Sequence, residues 1–170
     1  MVSTPADEGD DAGRRAIDGR EALATARLQL LTAARHRLAL HLPLLGRDDY
    51  GNDAELAELK RIATSGRRAD IRILLHDPAA ALRDGHRLIA LFQRLSSSIA
   101  IRTPVEDADR QNTGAWLAND TGGYLYLPDA SRPQGRMALA DRAVQAPLRQ
   151  QFDEIWERSA RASELQALDL

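Results

Sequence analysis

The segment 70–102, DIRILLHDPAAALRDGHRLIALFQRLSSSIAIR, carries the pattern on which the predicted fold depends. Its apolar run at 71–75 is broken only by Arg72, which is typical of a strand covered on both faces. A second short apolar run follows at 99–101. Between the two runs, four apolar residues recur at the spacing of one helical face: Leu88, Leu91, Phe92 and Leu95. The order strand, helix, strand predicts a βαβ unit, in which parallel strands lie buried between helices.

The sequence before this unit is also predicted to alternate between helices and strands. Helical periodicity over 18–34 precedes a short apolar strand at 38–42. A helix capped by Asn52 or Asp53 then runs to Gly66, which suits the position after a helix end. Right-handed crossovers are expected to place this helix on one face of the sheet and the helix of the βαβ unit on the other.

After the unit, the chain is predicted to form a hairpin at 115–127 and one last helix. The predicted fold class is therefore α/β, a three-layer sandwich with a mixed, mostly parallel sheet and helices on both faces. Acidic and aperiodic residues at 1–17 predict a disordered tail. A single domain is expected at 18–160, followed by a fraying tail at 161–170.

Composition excludes several classes of protein. The 170 residues include no cysteine, which excludes disulfides, thiol catalysis and thiolate metal sites. No apolar run is long enough to span a bilayer, and the N-terminus has no apolar core of a secretory signal, so no membrane association and a cytoplasmic location are expected. The net charge of −2 comes from residues 1–17, and the rest of the chain is balanced. This balance makes general affinity for nucleic acid unlikely.

The hairpin has two alternative registers around residues 119–122. With a two-residue turn, Trp116 faces the same way as Leu125; with a three-residue loop, Trp116 shares a face with Tyr124 and Tyr126. Facing outward, these aromatic side chains would form the centre of a protein interface. The alternative is that Trp116 packs beneath the C-terminal helix.

The order of elements resembles one half of the phospholipase D fold. A helix leads into ARHRLAL at 34–40, a second helix ends at RIATSG at 61–66, a hairpin contains Asp120, and the chain closes on FDEIW at 152–156. The sequence is most similar to the small single-copy domains of that superfamily, some of which follow an acetyltransferase domain in bacterial proteins. The resemblance covers roughly residues 18–158. It also implies a homodimer, because two-half phospholipases pair two such domains around the active site.

The chemistry of that family depends on the motif His-x-Lys-x4-Asp, and this sequence departs from it. When the motif is aligned on Asp120, Thr113 takes the histidine position and Ala115 the lysine position. A threonine without a base is not an activated nucleophile, and an alanine carries no charge. The only lysine, Lys60, lies in a different predicted helix. The resemblance therefore implies a degenerate domain without catalytic residues.

Ligands of open α/β sheets bind outside the carboxyl ends of the strands, so that edge is the predicted site. Histidines, an arginine and a helix N-terminus suit a small anion. The alternative is that His76 ends a strand and Asp77 only caps a helix. The candidate ligand-binding residues are His41, His76, Asp77, His86, Arg102 and Asp120.

No cofactor or metal is predicted, because no pair of histidines has helical ligand spacing within one element. Four arginines gather near one end of the sheet: Arg61, Arg67, Arg68 and Arg72. They could contact phosphate, but they also suit a solvated helix end.

The sequence thus favours a non-catalytic phospholipase D-like module that binds a partner protein or a small anionic ligand, with regulation of an associated enzyme as one role. The alternatives are a hydrolase or phosphodiesterase built around His76, Asp77 and His86, and, more weakly, nucleic-acid binding.

Overall fold

The computed structural model describes residues 13–166, which form one continuous sheet with helices on both faces. The strands are β1 (Arg15–Asp18), β2 (Arg37–Leu42), β3 (Asp70–Leu75), β4 (Ile99–Thr103), β5 (Ala115–Asn119), β6 (Tyr124–Leu127), β7 (Gln134–Ala138) and β8 (Ala160–Arg161). The helices are α1 (Arg20–Ala33), α2 (Asp53–Ala63), α3 (Pro78–Arg83), α4 (Arg87–Arg94), α5 (Asp107–Arg110) and α6 (Arg142–Glu157), with a 3₁₀ turn at Ser163–Leu165.

The strand order across the sheet is β1-β7-β6-β5-β2-β3-β4-β8. The predicted βαβ unit is confirmed, because β3 and β4 are parallel and β2 pairs in parallel with β3. The other five ladders within residues 13–166 are antiparallel. The three-layer α/β class is therefore confirmed, whereas the expectation of a mostly parallel sheet is wrong. The hairpin strands extend one side of the sheet, and they need no crossover helix because antiparallel neighbours connect through short turns.

The helices divide unequally between the two faces. α1, α2 and α4 cover one face, while α6 covers part of the other. The expectation that α2 and α4 lie on opposite faces is wrong. Because β2, β3 and β4 follow one another in a single direction across the sheet, two right-handed crossovers place both helices on the same face.

Successive side chains of the central strands point to opposite faces of the sheet and so form two separate apolar clusters. One face of β2 and β3 contributes side chains such as Leu40 and Ile73 to the main core beneath α1, α2 and α4. The smaller cluster lies beneath α6 and consists of Leu74, Trp116, Phe152, Ile155 and Trp156.

The hairpin has the three-residue loop of the two predicted alternatives. Trp116 is opposite Tyr126, and Ala118 is opposite Tyr124, so the three aromatic side chains share one face. That face is turned toward α6, and Trp116 and Tyr124 are buried there while Tyr126 is half-buried. The prediction of an outward-facing aromatic interface is therefore wrong for Trp116 and Tyr124. Apolar residues of α6 pack against this aromatic surface, so it is not available to a partner protein.

Both predicted tails are shorter than expected where the structure describes them. Arg15–Asp18 form β1, although the predicted tail ran to residue 17, and Ile17 is buried. At the other end Leu165 is fully buried and its carbonyl oxygen accepts a hydrogen bond from the Gln93 side chain. The remainder of the two predicted tails, residues 1–12 and 167–170, lies outside the described residues. The single domain at 18–160 stays a prediction.

Side-chain caps account for most helix starts. Asn52 caps α2 by accepting from the backbone N–H of Glu55, which is one of the two predicted caps. Asp84 ends α3. Gly85 then adopts φ +62°, and His86 caps α4.

A buried ionic cluster, here called the Arg27 cluster, consists of Arg27, Asp49, Tyr50 and Glu55. Arg27 Nε donates to Glu55 Oε1 at 2.7 Å, and Arg27 also lies 3.3 Å from an Asp49 carboxylate oxygen. Tyr50 lies under the guanidinium at 5.5 Å, has the left-handed φ of 56°, and donates its backbone N–H to Glu55. The cluster therefore connects α1, the β2–α2 loop and α2, and Arg27, Tyr50 and Glu55 are shielded from water while Asp49 is partly exposed.

Candidate functional site

The carboxyl ends of β2, β3 and β4 meet at one edge of the sheet, as predicted, and a polar cluster lies there. We call it the carboxyl-edge cluster: His41, His76, Asp109, Trp116 and Arg158. Its central contact is between His41 on β2 and His76 just after β3, whose Nε2 atoms are 3.1 Å apart. His41 is fully buried and His76 is partly exposed.

The hydrogen bonds of His41 assign its tautomer. Nδ1 lies 2.7 Å from the carbonyl oxygen of Gly114, and a carbonyl oxygen can only accept, so Nδ1 carries the hydrogen. Nε2 of the neutral ring is then an acceptor, and it faces His76 Nε2. The His41 ring also stacks on Trp116, with centroids 4.1 Å apart and planes inclined by 17°.

Burial disfavours the charged form of both histidines. It lowers the pKa of His41 to about 4, even though the Gly114 carbonyl acts in the opposite direction. Burial also lowers the pKa of His76, against the opposing charge of Asp109. At neutral pH the histidine pair is therefore uncharged, so it can donate and accept hydrogen bonds but does not supply a positive charge to an anion.

Asp109 and Arg158 form the charged part of the cluster. Arg158 donates from Nε and from a terminal nitrogen to the two Asp109 oxygens at 2.6 and 2.8 Å, and these hydrogen bonds lower the pKa of Asp109. Neither residue is among the predicted site residues, and no local spacing joins two residues 49 positions apart.

The structure brings together only two of the six predicted ligand-binding residues, His41 and His76. Asp77 caps α3 by accepting from the backbone N–H of Ala80. His86 caps α4 through Nδ1, and its Nε2 lies 2.9 Å from the carbonyl oxygen of Gly46. The site predicted around His76, Asp77 and His86 is therefore not assembled, because each of the last two side chains is used in its own local structure.

Arg102 and Asp120 also lie apart from the histidine pair. Arg102 donates to the carbonyl oxygen of Trp156 at 2.8 Å and lies 4.5 Å from the centroid of that indole ring. Asp120 lies at the opposite, amino edge of the sheet, where its two oxygens accept the backbone N–H groups of Arg35 and His36 at 2.8 Å each.

Two further findings limit the chemistry of the described residues. Within 13–166, no three histidine, aspartate or glutamate side chains are grouped so that they could hold a metal ion. In the same range, no helix is long and apolar enough to cross a membrane.

A family model described as "Domain of unknown function (DUF7931)" matches residues 19–168. The chain belongs to this family. A search of curated proteins found no match for the DUF7931 chain.

Solved structures similar to the DUF7931 chain include two phospholipase D-type proteins. Nuc, a phospholipase D family member from Salmonella typhimurium, matches with a TM-score of 0.58 and 11% identity over 87% of this chain and 96% of its own. Phosphatidylserine synthase from Haemophilus influenzae Rd KW20 matches with a TM-score of 0.58 and 13% identity over 92% of this chain and 41% of its own. The fold of the DUF7931 chain is therefore phospholipase D-like.

The archaeal chromatin protein TrmBL2, which binds DNA, is also similar. Its TM-score is 0.62 and its identity 14%, over 88% of the DUF7931 chain. The DUF7931 chain spans 54% of the length of TrmBL2. At this identity, the likeness concerns the fold alone.

In the DUF7931 chain, Ala115 begins β5, Thr113 lies two residues before it, and the strand leads to Asp120. The start of β5 lies at the carboxyl edge, because Trp116 is the antiparallel partner of His41. Thr113 is exposed, and its hydroxyl donates to the carbonyl oxygen of Pro128 at 3.4 Å.

Asp120 is expected to contribute to stability. Burial by itself would raise the pKa of Asp120, but the backbone N–H groups of Arg35 and His36 outweigh burial and hold the pKa below its usual range. Replacing Asp120 by alanine removes both acceptors, and we expect the free energy of unfolding in urea to fall by about 2 kcal/mol. Asp77→Ala, which removes an exposed cap, serves as the control, with an expected loss of about 1 kcal/mol. An Asp120→Ala variant as stable as the wild type would contradict this role.

Proposed function

We propose that this chain is a non-catalytic, degenerate phospholipase D-like module that binds a partner protein at the carboxyl edge of its sheet. The proposal depends on the pair of residues at the aligned motif positions. In the sequence alignment on Asp120, Thr113 and Ala115 take the positions of the histidine and lysine of the phospholipase D motif, and neither provides an imidazole or an ammonium group. The partner could be an enzyme whose activity the module regulates.

Exposed apolar side chains support a protein partner over a small anion. Leu44, Leu82 and Val105 are 56%, 43% and 44% exposed, and they follow β2, β3 and β4, respectively. Leu82 lies on α3 and the other two lie in loops, and three exposed apolar side chains at one edge are typical of the centre of an interface. The helix N-termini that could hold an anion are already capped by Asp77 and His86.

Charged substitutions at the carboxyl edge test whether a partner protein binds there. The triple variant Leu44→Glu, Leu82→Glu and Val105→Glu changes only exposed side chains, so the fold is expected to persist. Proteins that co-purify with the wild type should be lost from this variant. Light scattering of the same samples shows whether the partner is a second copy of the chain. Leu139→Glu is the matched control, because Leu139 is 42% exposed but lies at the amino edge. If the wild type, the triple variant and Leu139→Glu retain the co-purifying proteins equally, the proposal is contradicted.

The second candidate function is a phosphodiesterase that uses His76 as a base, and the contact with His41 favours it. Turnover of bis(p-nitrophenyl) phosphate by the purified chain distinguishes the two. We expect none. Measurable turnover that is lost in His76→Gln, but kept in His86→Gln, would replace the non-catalytic proposal with this one.

A further inference from the structure

Charge is balanced along the chain but separated in space. The carboxyl-edge loops are residues 43–52, 76–86, 104–114 and 128–133, and they contain eight aspartates and glutamates against four arginines. The amino-edge segments 34–37, 64–72 and 119–123 contain five arginines against two aspartates. The structure therefore has an acidic edge and a basic edge, which the net charge of −2 does not reveal.

The two aspartates of these segments are both engaged, and Asp141, which also lies at this edge, forms an ion pair with Arg14 at 2.5 Å. Asp70 forms an ion pair with Arg72 at 3.1 Å, and the oxygens of Asp120 accept two backbone N–H groups. Arg61, which the sequence analysis grouped with this end of the sheet, donates to the carbonyl oxygens that end α1, including those of Leu31 and Ala34 at 2.9 Å. Arg61 and Arg72 therefore serve the fold.

Five other arginines remain at this edge, and we call them the amino-edge arginine patch: Arg35, Arg37, Arg67, Arg68 and Arg149. All five side chains are exposed, and within the described residues none forms an ion pair with an acid. They come from three neighbouring elements. Arg35 and Arg37 precede or begin β2, Arg67 and Arg68 precede β3, and Arg149 lies on α6.

A cleft of about 210 Å³ lies within the patch, between α6 and the amino ends of β2 and β3. Arg37, Arg72 and Arg149 line it, as do Asp70, Asp120 and Asp153. Asp70 pairs with Arg72 and Asp120 accepts backbone N–H groups, whereas the Asp153 carboxylate has no hydrogen-bond partner among the described residues. Guanidinium groups bind phosphate through two parallel N–H donors. Arg37 and Arg149 therefore supply the two guanidinium groups that can bind a phosphate group at this cleft.

We propose that the amino-edge arginine patch binds the phosphate backbone of nucleic acid, with one phosphate in the cleft. The patch extends beyond the cleft over three elements, so it contacts several phosphates of one chain rather than a single small anion. Backbone binding needs uncompensated cations and no apolar centre. A protein or membrane partner would need exposed apolar or aromatic side chains, and of the exposed large apolar residues within 13–166 only Leu139 lies at this edge.

The experiment is fluorescence anisotropy of a labelled 20-base-pair DNA duplex titrated with the purified chain at 50 to 200 mM salt. Five phosphate contacts predict a slope of about −4.5 in a plot of log affinity against log salt, which is a loss of about 500-fold across this range. The double variant Arg37→Glu and Arg149→Glu should bind at least about tenfold more weakly at 50 mM salt, with a slope shallower by about two.

The matched control is Arg47→Glu with Arg83→Glu. Both arginines are exposed and lie in carboxyl-edge loops, so this variant makes the same change in net charge at the opposite edge. It should retain most of the wild-type affinity, and Arg67→Glu with Arg68→Glu should repeat the loss without touching the cleft. Far-UV circular dichroism confirms that each variant is folded.

Three results would overturn the proposal. The wild type fails to bind the duplex at 50 mM salt, or the control variant loses as much affinity as Arg37→Glu with Arg149→Glu, or the chain binds phosphatidylserine vesicles but not DNA. The last result would assign the patch to a membrane surface instead.

Discussion

Replacing Arg27 by leucine is expected to lower the free energy of unfolding by about 3 to 5 kcal/mol, because it leaves the Glu55 carboxylate buried without its partner. Arg27 is 6% exposed and Glu55 is 1% exposed, so water cannot replace the lost guanidinium. The Arg27 cluster also supports the left-handed backbone of Tyr50, through the hydrogen bond from its N–H to Glu55. Urea unfolding followed by tryptophan fluorescence measures the change.

A double-mutant cycle provides the control. Removing both charges in Arg27→Leu with Glu55→Leu should cost less than Arg27→Leu alone, since no charge then remains buried without a partner. Arg87, which pairs with an exposed Asp53 at 2.8 Å, gives the comparison for a surface ion pair. Arg87→Leu should cost less than about 1 kcal/mol. Equal losses from Arg27→Leu and Arg87→Leu would show that burial does not strengthen the interior pair.

The second large effect is on the pH dependence of stability. The pKa of His41 is lowered from 6.5 to about 4 by burial, so between these values the unfolded chain binds a proton that the folded chain does not. Stability therefore rises with pH through this window. Above about pH 6.5, the protonation of His41 does not change the free energy of unfolding. As the pH falls from 6.5 to 4, the free energy of unfolding decreases by about 3 kcal/mol.

The measurement is the free energy of unfolding of wild type and His41→Gln at several pH values between 4 and 7.5. The variant is expected to be less stable at pH 7.5, since the stacking on Trp116 is lost, but its stability should fall less steeply toward pH 4. His36→Gln is the control, because His36 is partly exposed and hydrogen-bonds to the Ser65 hydroxyl. Parallel pH profiles for wild type and His41→Gln would contradict the burial of a neutral imidazole.

Local patterns predicted the parts of the fold that depend on local chemistry. The apolar run at 71–75, broken only by Arg72, identified a strand covered on both faces, and Asn52 and Asp77 were each named as a possible helix cap. The hairpin was recognised, but its register was not, since one residue of loop length changes which side chains share a face.

The errors concern relations between distant segments. The strand order places α2 and α4 on one face, and no local sequence pattern predicts this order. The carboxyl edge was predicted correctly as the place where His41 and His76 meet, because parallel strands end together. The ion pair of Asp109 with Arg158 depends on how α6 packs against the sheet, so sequence spacing carried no signal for it.

The pairing of β1 with β7 has a consequence for how the chain is completed during synthesis. Among the described residues, Arg15–Asp18 pair with Gln134–Met137, more than a hundred positions later. β1 therefore leaves the ribosome well before its partner strand has been translated. Contacts of such long range slow folding, and an unpaired strand edge is open to other chains during that delay. Its short length and its terminal charges, Arg15 and Asp18, reduce that hazard.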